Sequence, residues 1–167
     1  MINPTAASLL GFLANSRELT GWELVSQIEA TVGNFWNVTR SQVYRELNTL
    51  AEMGLVEAGD PGRRSRRPYR ITDTGREAFR VWINHEPGPD LFRIPLLLTV
   101  FFRDRVEPDK LARYLATHRL AHQRQLEQYQ ALETDLAAVP GGPLDALRLG
   151  IAHERAFLDW IVELEKG

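Results

Sequence analysis

Within the nine residues from Arg40 to Asn48, the side chains of Arg40, Ser41, Gln42, Tyr44, Arg45 and Asn48 bring together two guanidinium forks, two carboxamides, a hydroxyl and a phenol. Arginine forks match guanine O6 and N7 or a phosphate, carboxamides match adenine N6 and N7, and hydroxyls bind phosphate oxygens. The chemistry these residues suit is recognition of double-stranded DNA, not bond making. Further along, Arg63, Arg64, Arg66, Arg67 and Arg70 crowd between positions 60 and 70 against one acid, Asp60, a local balance of +4 on a chain of net charge -2. A basic patch on a mildly acidic protein suits a targeted nucleic-acid contact better than indiscriminate coating.

Such side chains need an element to aim them. From Asn37 to Gly54 the spacing predicts a helix: Val43, Leu47 and Leu50 recur on one face, Thr39 and Gln42 stand in capping-box order, and Gly54 supplies the left-handed stop. Before it, Thr5–Ala14 reads as an amphipathic helix with Ala6, Leu9, Leu10 and Leu13 inward, and Arg17–Leu19 as a connector. A second helix opens at Thr20 with Glu23 completing another capping box, faces inward through Leu24, Val25 and Ile28, and ends near Gly33. Phe35 and Trp36, in the turn that follows, are expected in the core between the second and third helices, with a place on the DNA side as the alternative for Trp36.

After Gly54 the pattern turns extended. Leu55–Glu57 and Tyr69–Ile71 read as two short strands around a Gly/Pro-rich basic loop, a hairpin that directly follows a helix-turn-helix and so forms its wing. Thr72 or Thr74 caps a fourth helix whose apolar side is expected at Ala78, Val81 and Trp82, and the segment 84–90, NHEPGPD, marks a domain boundary.

The rest reads as helical. Leu91–Arg103 is a short apolar helix, regular from Pro95, with Leu96, Leu97, Val100 and Phe101 expected to be buried. A long helix from about Glu107 to Val139 carries a seam of Leu111, Leu115, His122, Leu126, Tyr129, Leu132 and Leu136. A PGGP turn joins it to a last helix, Leu144–Glu165, with Leu147, Ile151, Phe157, Leu158, Ile161 and Leu164 inward. Two such antiparallel helices offer more apolar surface than they hide between themselves, which argues for a homodimer.

Other functions find little in the chain. No cysteine is present, so disulfides, thiolate metal sites and cysteine nucleophiles are excluded. His118 and His122 have the spacing of a helical metal pair but lack a third ligand and an HExxH pattern, and there is no Walker loop, GxGxxG or GxSxG. We therefore expect no enzyme, no metal and no cofactor. The N-terminal residues lack a signal-peptide pattern and no stretch is long enough to span a bilayer, which points to a cytoplasmic protein without a membrane partner.

The segments LLGFLANSRELTGWELVSQIE (9–29), SQVYRELNTLAEMGLVEA (41–58) and RRPYRITDTGREAF (66–79) resemble the PadR-type transcriptional regulators. The likeness extends more weakly to the helical second half headed by LFRIPLLLTVFF, as in the branch of the family with the longer C-terminal domain. It implies a mainly α fold with a small β-hairpin: a winged helix-turn-helix domain over residues 1–86, then an α-helical dimerisation domain over 87–167. It further implies a dimeric repressor, with Arg40, Ser41, Gln42, Tyr44, Arg45 and Asn48 reading the major groove and Arg63, Arg64, Arg66 and Arg67 contacting backbone or minor groove. Some members respond to phenolic acids or planar hydrophobic compounds. A small aromatic or hydrophobic effector would find its lining among Phe12, Trp82, Phe92, Leu96 and Phe101, all of which ordinary core packing explains as well. The rival reading is a winged helix used only for protein–protein interaction, for which a basic wing and a polar third helix would be superfluous together.

Overall fold

The computed structural model describes residues 2–33, 35–36, 38–60, 62, 67–89, 92–139 and 141–166. The chain forms two compact units, Met1–Gly88 and Pro89–Gly167.

In the first unit, helix α1 (Pro4–Ala14) starts where Asn3 Oδ1 accepts the Ala6 N–H at 2.8 Å and Pro4 brings its preset φ. Helices α2 (Gly21–Thr31) and α3 (Arg40–Glu52) both open with complete capping boxes. Thr20 N donates to Glu23 Oε2 at 2.7 Å, and Thr39 N donates to Gln42 Oε1 at 2.8 Å. In each, the threonine hydroxyl accepts the N–H of the third helical residue, so two otherwise orphaned donors are satisfied at once. The inward stripes are Leu9, Leu10 and Leu13 from α1, Leu24, Val25 and Ile28 from α2, and Val43, Leu47 and Leu50 from α3, all buried in one core. Burying a side chain of this size stabilises by about 1.5–3 kcal/mol relative to leaving it exposed. Asn3 also donates from Nδ2 to Glu46 Oε2, pinning α1 to α3.

Helix α3 ends in a Schellman arrangement. Gly54, at φ +68°, donates to Ala51 O at 3.0 Å, and Leu55 N donates to Leu50 O at 2.9 Å while both leucines are buried. Strands β1 (Leu19–Thr20), β2 (Val56–Ala58) and β3 (Pro68–Ile71) then make an antiparallel sheet in the order β1-β3-β2. The expected hairpin is therefore a three-stranded sheet, because the end of the expected Arg17–Leu19 connector pairs Leu19 with Tyr69. A two-residue strand has no period of its own to read; the free edge of β3 recruits it.

Helix α4 (Asp73–Ile83) is capped by Thr72, whose hydroxyl accepts the Gly75 N–H at 3.0 Å and donates to Gly54 O at 2.8 Å. Ala78, Phe79 and Trp82 take the inward side and Val81, expected there, is exposed. At 100° per residue, Phe79 shares a face with Gly75 and Trp82, while Val81 falls about a third of a turn away from it. Of the two aromatics expected in the core, Trp36 is half-buried against it and Phe35 is exposed.

The second unit contains helix α5 (Pro95–Phe101), a 3-10 turn (Arg103–Arg105), and helices α6 (Pro108–Leu136) and α7 (Pro143–Lys166). Helices α6 and α7 pack on each other, and α5 packs on α6. Leu96, Leu115, Phe157 and Ile161 form one buried cluster and Tyr129, Leu147 and Ile151 a second. Gly150 lets the Tyr129 ring approach, since a Cβ there would lie 2.8 Å from its Cε2. Contrary to expectation, Leu97 and Phe101 are exposed, Phe101 by 75%, and so is Leu132. Seven residues give α5 two turns and one inward stripe, which Leu96 and Val100 fill; the remaining apolar residues face outward.

The two histidines with metal-pair spacing have another use. His122 Nδ1 pairs with Glu154 Oε2, a carboxylate only 2% exposed, and its ring stacks on Phe157 at 3.9 Å, with His118 stacked 6.2 Å away. Among the described residues, no group of three or more His, Cys, Asp or Glu is placed to hold a metal ion, and no helix is long and apolar enough to cross a membrane.

Among the described glycines, the closest backbone approach lies at Gly75, where a Cβ would sit 2.0 Å from Leu55 O. Gly75→Ala is expected to cost about 1–3 kcal/mol or more, since backbone cannot rotate aside as a side chain can. Gly88→Ala, in open space, should stay within about 0.5 kcal/mol of wild type. Urea unfolding midpoints at unchanged m-value would check both.

Candidate nucleic-acid interface

Val43, Leu47 and Leu50 turn α3 so that its opposite face meets solvent. Arg40, Ser41, Tyr44, Arg45 and Asn48 are all exposed there, so five of the six expected reading residues share one accessible face. Gln42, the sixth, is half-buried, and its Oε1 accepts from both Thr39 N and Thr39 Oγ1, the latter at 3.0 Å. A bidentate contact with adenine requires the carbonyl and the amide together, so the cap competes with base reading at this position. Only its NH2 group is left to point outward.

Tyr44 is 46% exposed and its ring lies directly on Gly21, where a Cβ would meet Cε1 at 2.5 Å. Glycine at the first position of α2 is thus the condition for the two helices of the helix-turn-helix to approach with a tyrosine between them. Three further exposed residues belong to this surface and escaped the sequence reading. Thr49 and Glu52 continue the α3 face, with the Thr49 hydroxyl turned back to Arg45 O at 3.2 Å, and Trp22, 50% exposed, neighbours Gly21 at the start of α2. Their signal was available: all three fall off the buried stripes of their helices.

On the wing, Arg67 is exposed just before β3, while Arg63, Arg64 and Arg66 lie outside the described residues. Arg70, counted in the basic patch, is already paired. It stands opposite Glu57 in the β2–β3 register and donates from its guanidinium to Glu57 Oε2 at 2.6 Å. The hydrogen bond to Glu57, the Glu57 charge and, more weakly, Glu18 hold its pKa above the ordinary arginine value. The wing's cationic character therefore rests on the loop and not on its strands.

The five residues expected to line an effector site do not form one lining within either unit. Phe12 and Trp82, with Gly11, Trp36 and Phe79, line an apolar hollow of about 290 Å3 in the first unit, where the Trp36 indole Nε1 is buried without a hydrogen-bond partner. Phe92 lines a separate hollow of about 290 Å3 in the second unit with Trp160 and Phe157. Leu96 is buried in that unit's core and Phe101 projects outward.

A helix pair joined by a turn, a three-stranded wing and a solvent-facing polar third helix define a winged helix-turn-helix regulator, here followed by a helical second unit. Comparison with known proteins agrees. Residues 9–81 match the Transcriptional regulator PadR-like family, and residues 92–166 match the Virulence activator alpha C-term family. The first half of the chain is thus similar to PadR-like transcriptional regulators and the second half to the C-terminal part of virulence activators, the combination of the branch with the longer helical C-terminal part, and the relatives are regulators, not enzymes.

The Mycobacterium tuberculosis protein named "Probable transcriptional regulator Rv1176c" is 28% identical over 168 residues, covering 89% of each chain. The Bacillus subtilis "Negative transcriptional regulator PadR" is 28% identical over 99 residues, 57% of this chain and 54% of that protein, so this match spans about half of the relative's length. Solved structures of Bacillus subtilis PadR share the fold. The complex with operator DNA aligns at TM-score 0.78, with 21% identity over 97% of both chains. The complex with p-coumaric acid aligns at 0.66, with 20% identity over 98% of this chain and 96% of that one.

The double role of Gln42 is separable. Gln42→Ala should lower stability by roughly 0.3–1.5 kcal/mol through the lost cap, whereas Gln42→Glu, which keeps an acceptor at the third helical position, should preserve it. Thermal unfolding of the two variants checks this; equal melting of Gln42→Ala and wild type would show that the cap contributes little.

Proposed function

We propose that this regulator binds operator DNA as a homodimer, with residues 1–86 as the reading head and residues 87–167 as the dimerisation domain, and that occupancy represses transcription. The observation that carries the reading is the exposed α3 face, where Arg40, Ser41, Tyr44, Arg45 and Asn48 project together from a helix fixed at both ends. Such a helix enters the major groove, and its pair in a two-fold dimer meets the next groove about 34–36 Å away on a pseudo-palindromic site. Arg67, with Arg63, Arg64 and Arg66 from the wing loop, supplies backbone or minor-groove contacts. The exposed apolar residues of the second unit, Leu97, Leu98 and Phe101 among them, support burial against a second copy. The name of the Bacillus subtilis relative supports repression, and its operator complex supports the DNA contact.

The same reading includes release by a small aromatic or hydrophobic effector. Its support is the p-coumaric acid complex of that relative together with the hollow containing Phe12 and Trp82, whose orphaned Trp36 N–H would be satisfied by a ligand carrying an acceptor. Such a ligand would need to favour one spacing of the two reading heads over the other.

Mobility shift on fragments of the protein's own promoter tests the DNA contact, and absence of binding at low salt would turn the reading toward a protein-interaction module. Arg45→Ala should cost about 1–3 kcal/mol on the selected site and relax base preference at one position; equal weakening on every sequence would make Arg45 a phosphate contact. For the effector, Trp82→Ala should abolish operator release by small aromatic acids at unchanged DNA affinity. Unaltered release would exclude this hollow.

A further inference from the structure

The DNA reading uses α3 and the wing loop and leaves the outer face of the sheet without a role. Along β3, Tyr69 and Ile71 point into the core, so Arg70 between them points out. Its neighbours across both edges are acidic. Glu57 faces it from β2, and continuing the β1 register of Leu19 with Tyr69 and Thr20 with Pro68 by one residue sets Glu18 opposite Arg70 from the other side. Glu18, Glu57 and Arg70 together line a shallow hollow of about 240 Å3 on this face. The Arg70 and Glu57 side chains are 64% and 61% exposed, so the ladder lies where nucleic acid could reach it.

An exposed cross-strand pair of this kind adds little to stability. It does change what the surface attracts. Two carboxylates against one guanidinium make the base of the wing repel phosphates, while the loop beyond it carries Arg63, Arg64, Arg66 and Arg67. Building on the DNA reading, we propose that Glu18 and Glu57 act as an intramolecular substitute for phosphate at Arg70, withholding it from DNA and confining contact to α3 and the wing loop. The ladder is thereby a specificity device: it removes one sequence-independent cation from the surface and sets a repulsive patch at the base of the wing.

The test is the salt dependence of binding to a duplex of random sequence, where log K falls with log salt by about 0.9 per phosphate neutralised. Full-length wild type is measured first, and no binding at low salt would remove the DNA reading itself. With binding present, Arg70→Gln is expected to leave the slope unchanged, and Glu18→Gln with Glu57→Gln to steepen it by about 0.9 and tighten random-sequence binding. Adding Arg70→Gln to that pair should restore the wild-type slope. A flatter slope for Arg70→Gln alone, an unchanged slope for the glutamine pair, or a steepening that persists in the triple variant would each overturn the proposal. Unchanged melting temperatures identify effects that are electrostatic and not structural.

Discussion

One carbonyl oxygen, that of Leu55, sits where three elements of the first unit meet. It accepts the Thr72 N–H at 3.1 Å and lies so near the first turn of α4 that only glycine fits at position 75. The same residue closes the Schellman stop of α3 through its N–H and leads directly into β2. Thr72 adds a second tie, through its hydroxyl, to Gly54 O. The exit of α3, strand β2 and the start of α4 are thus fixed to one another by short backbone-centred hydrogen bonds. These are directional in a way that the surrounding apolar contacts are not. The angle between helix and wing, which any groove-binding surface requires, follows from that junction.

The opposite end of α3 shows how a surface and a scaffold share side chains. Gln42 satisfies the helix N-terminus with the same oxygen it would need for a base, and Tyr44 contributes half its surface to solvent while its ring seats α3 on Gly21. Residues that project freely, Arg40, Ser41, Arg45 and Asn48, lie off the buried stripe of Val43, Leu47 and Leu50, and Ser41, Arg45 and Asn48 adjoin one another at spacings of four and three. Charge follows a similar division. The arginines near the wing are not one pool: Arg70 belongs to a cross-strand ladder with glutamates, and the loop arginines do not share its strand.

In the second unit the α6–α7 pair buries the carboxylate of Glu154, a costly group to remove from water unless it is paired. His122 from the facing helix meets it, Phe157 stacks on that imidazole, and burial, with the Glu154 charge adding to it, pushes the Tyr129 phenol pKa up. Polar pairing inside an apolar seam sets a register between two long helices that leucines alone would specify less sharply. The histidines look like ligands in one dimension. In three, His122 is the partner of a buried acid and His118 stacks on its ring.

The local part of this protein was legible in its sequence. Capping residues Thr20, Glu23, Thr39 and Gln42, the stop at Gly54, and the stripes of α1, α2 and α3 act within one or two turns, so their spacing carries the full physical instruction. From these the helix-turn-helix, the wing and most of the exposed face of α3 could be written down. What the tertiary structure alone decided involves residues far apart in the chain. The pairing of Leu19 with Tyr69 turned a connector into a strand, and the sheet register brought Glu18 and Glu57 to Arg70. The short α5 showed Leu97 and Phe101 to be outward, and the packing of α6 on α7 gave His122 to Glu154. Each depends on which surface arrives opposite, and a pattern of period two or 3.6 names the face a residue occupies without naming what that face will meet.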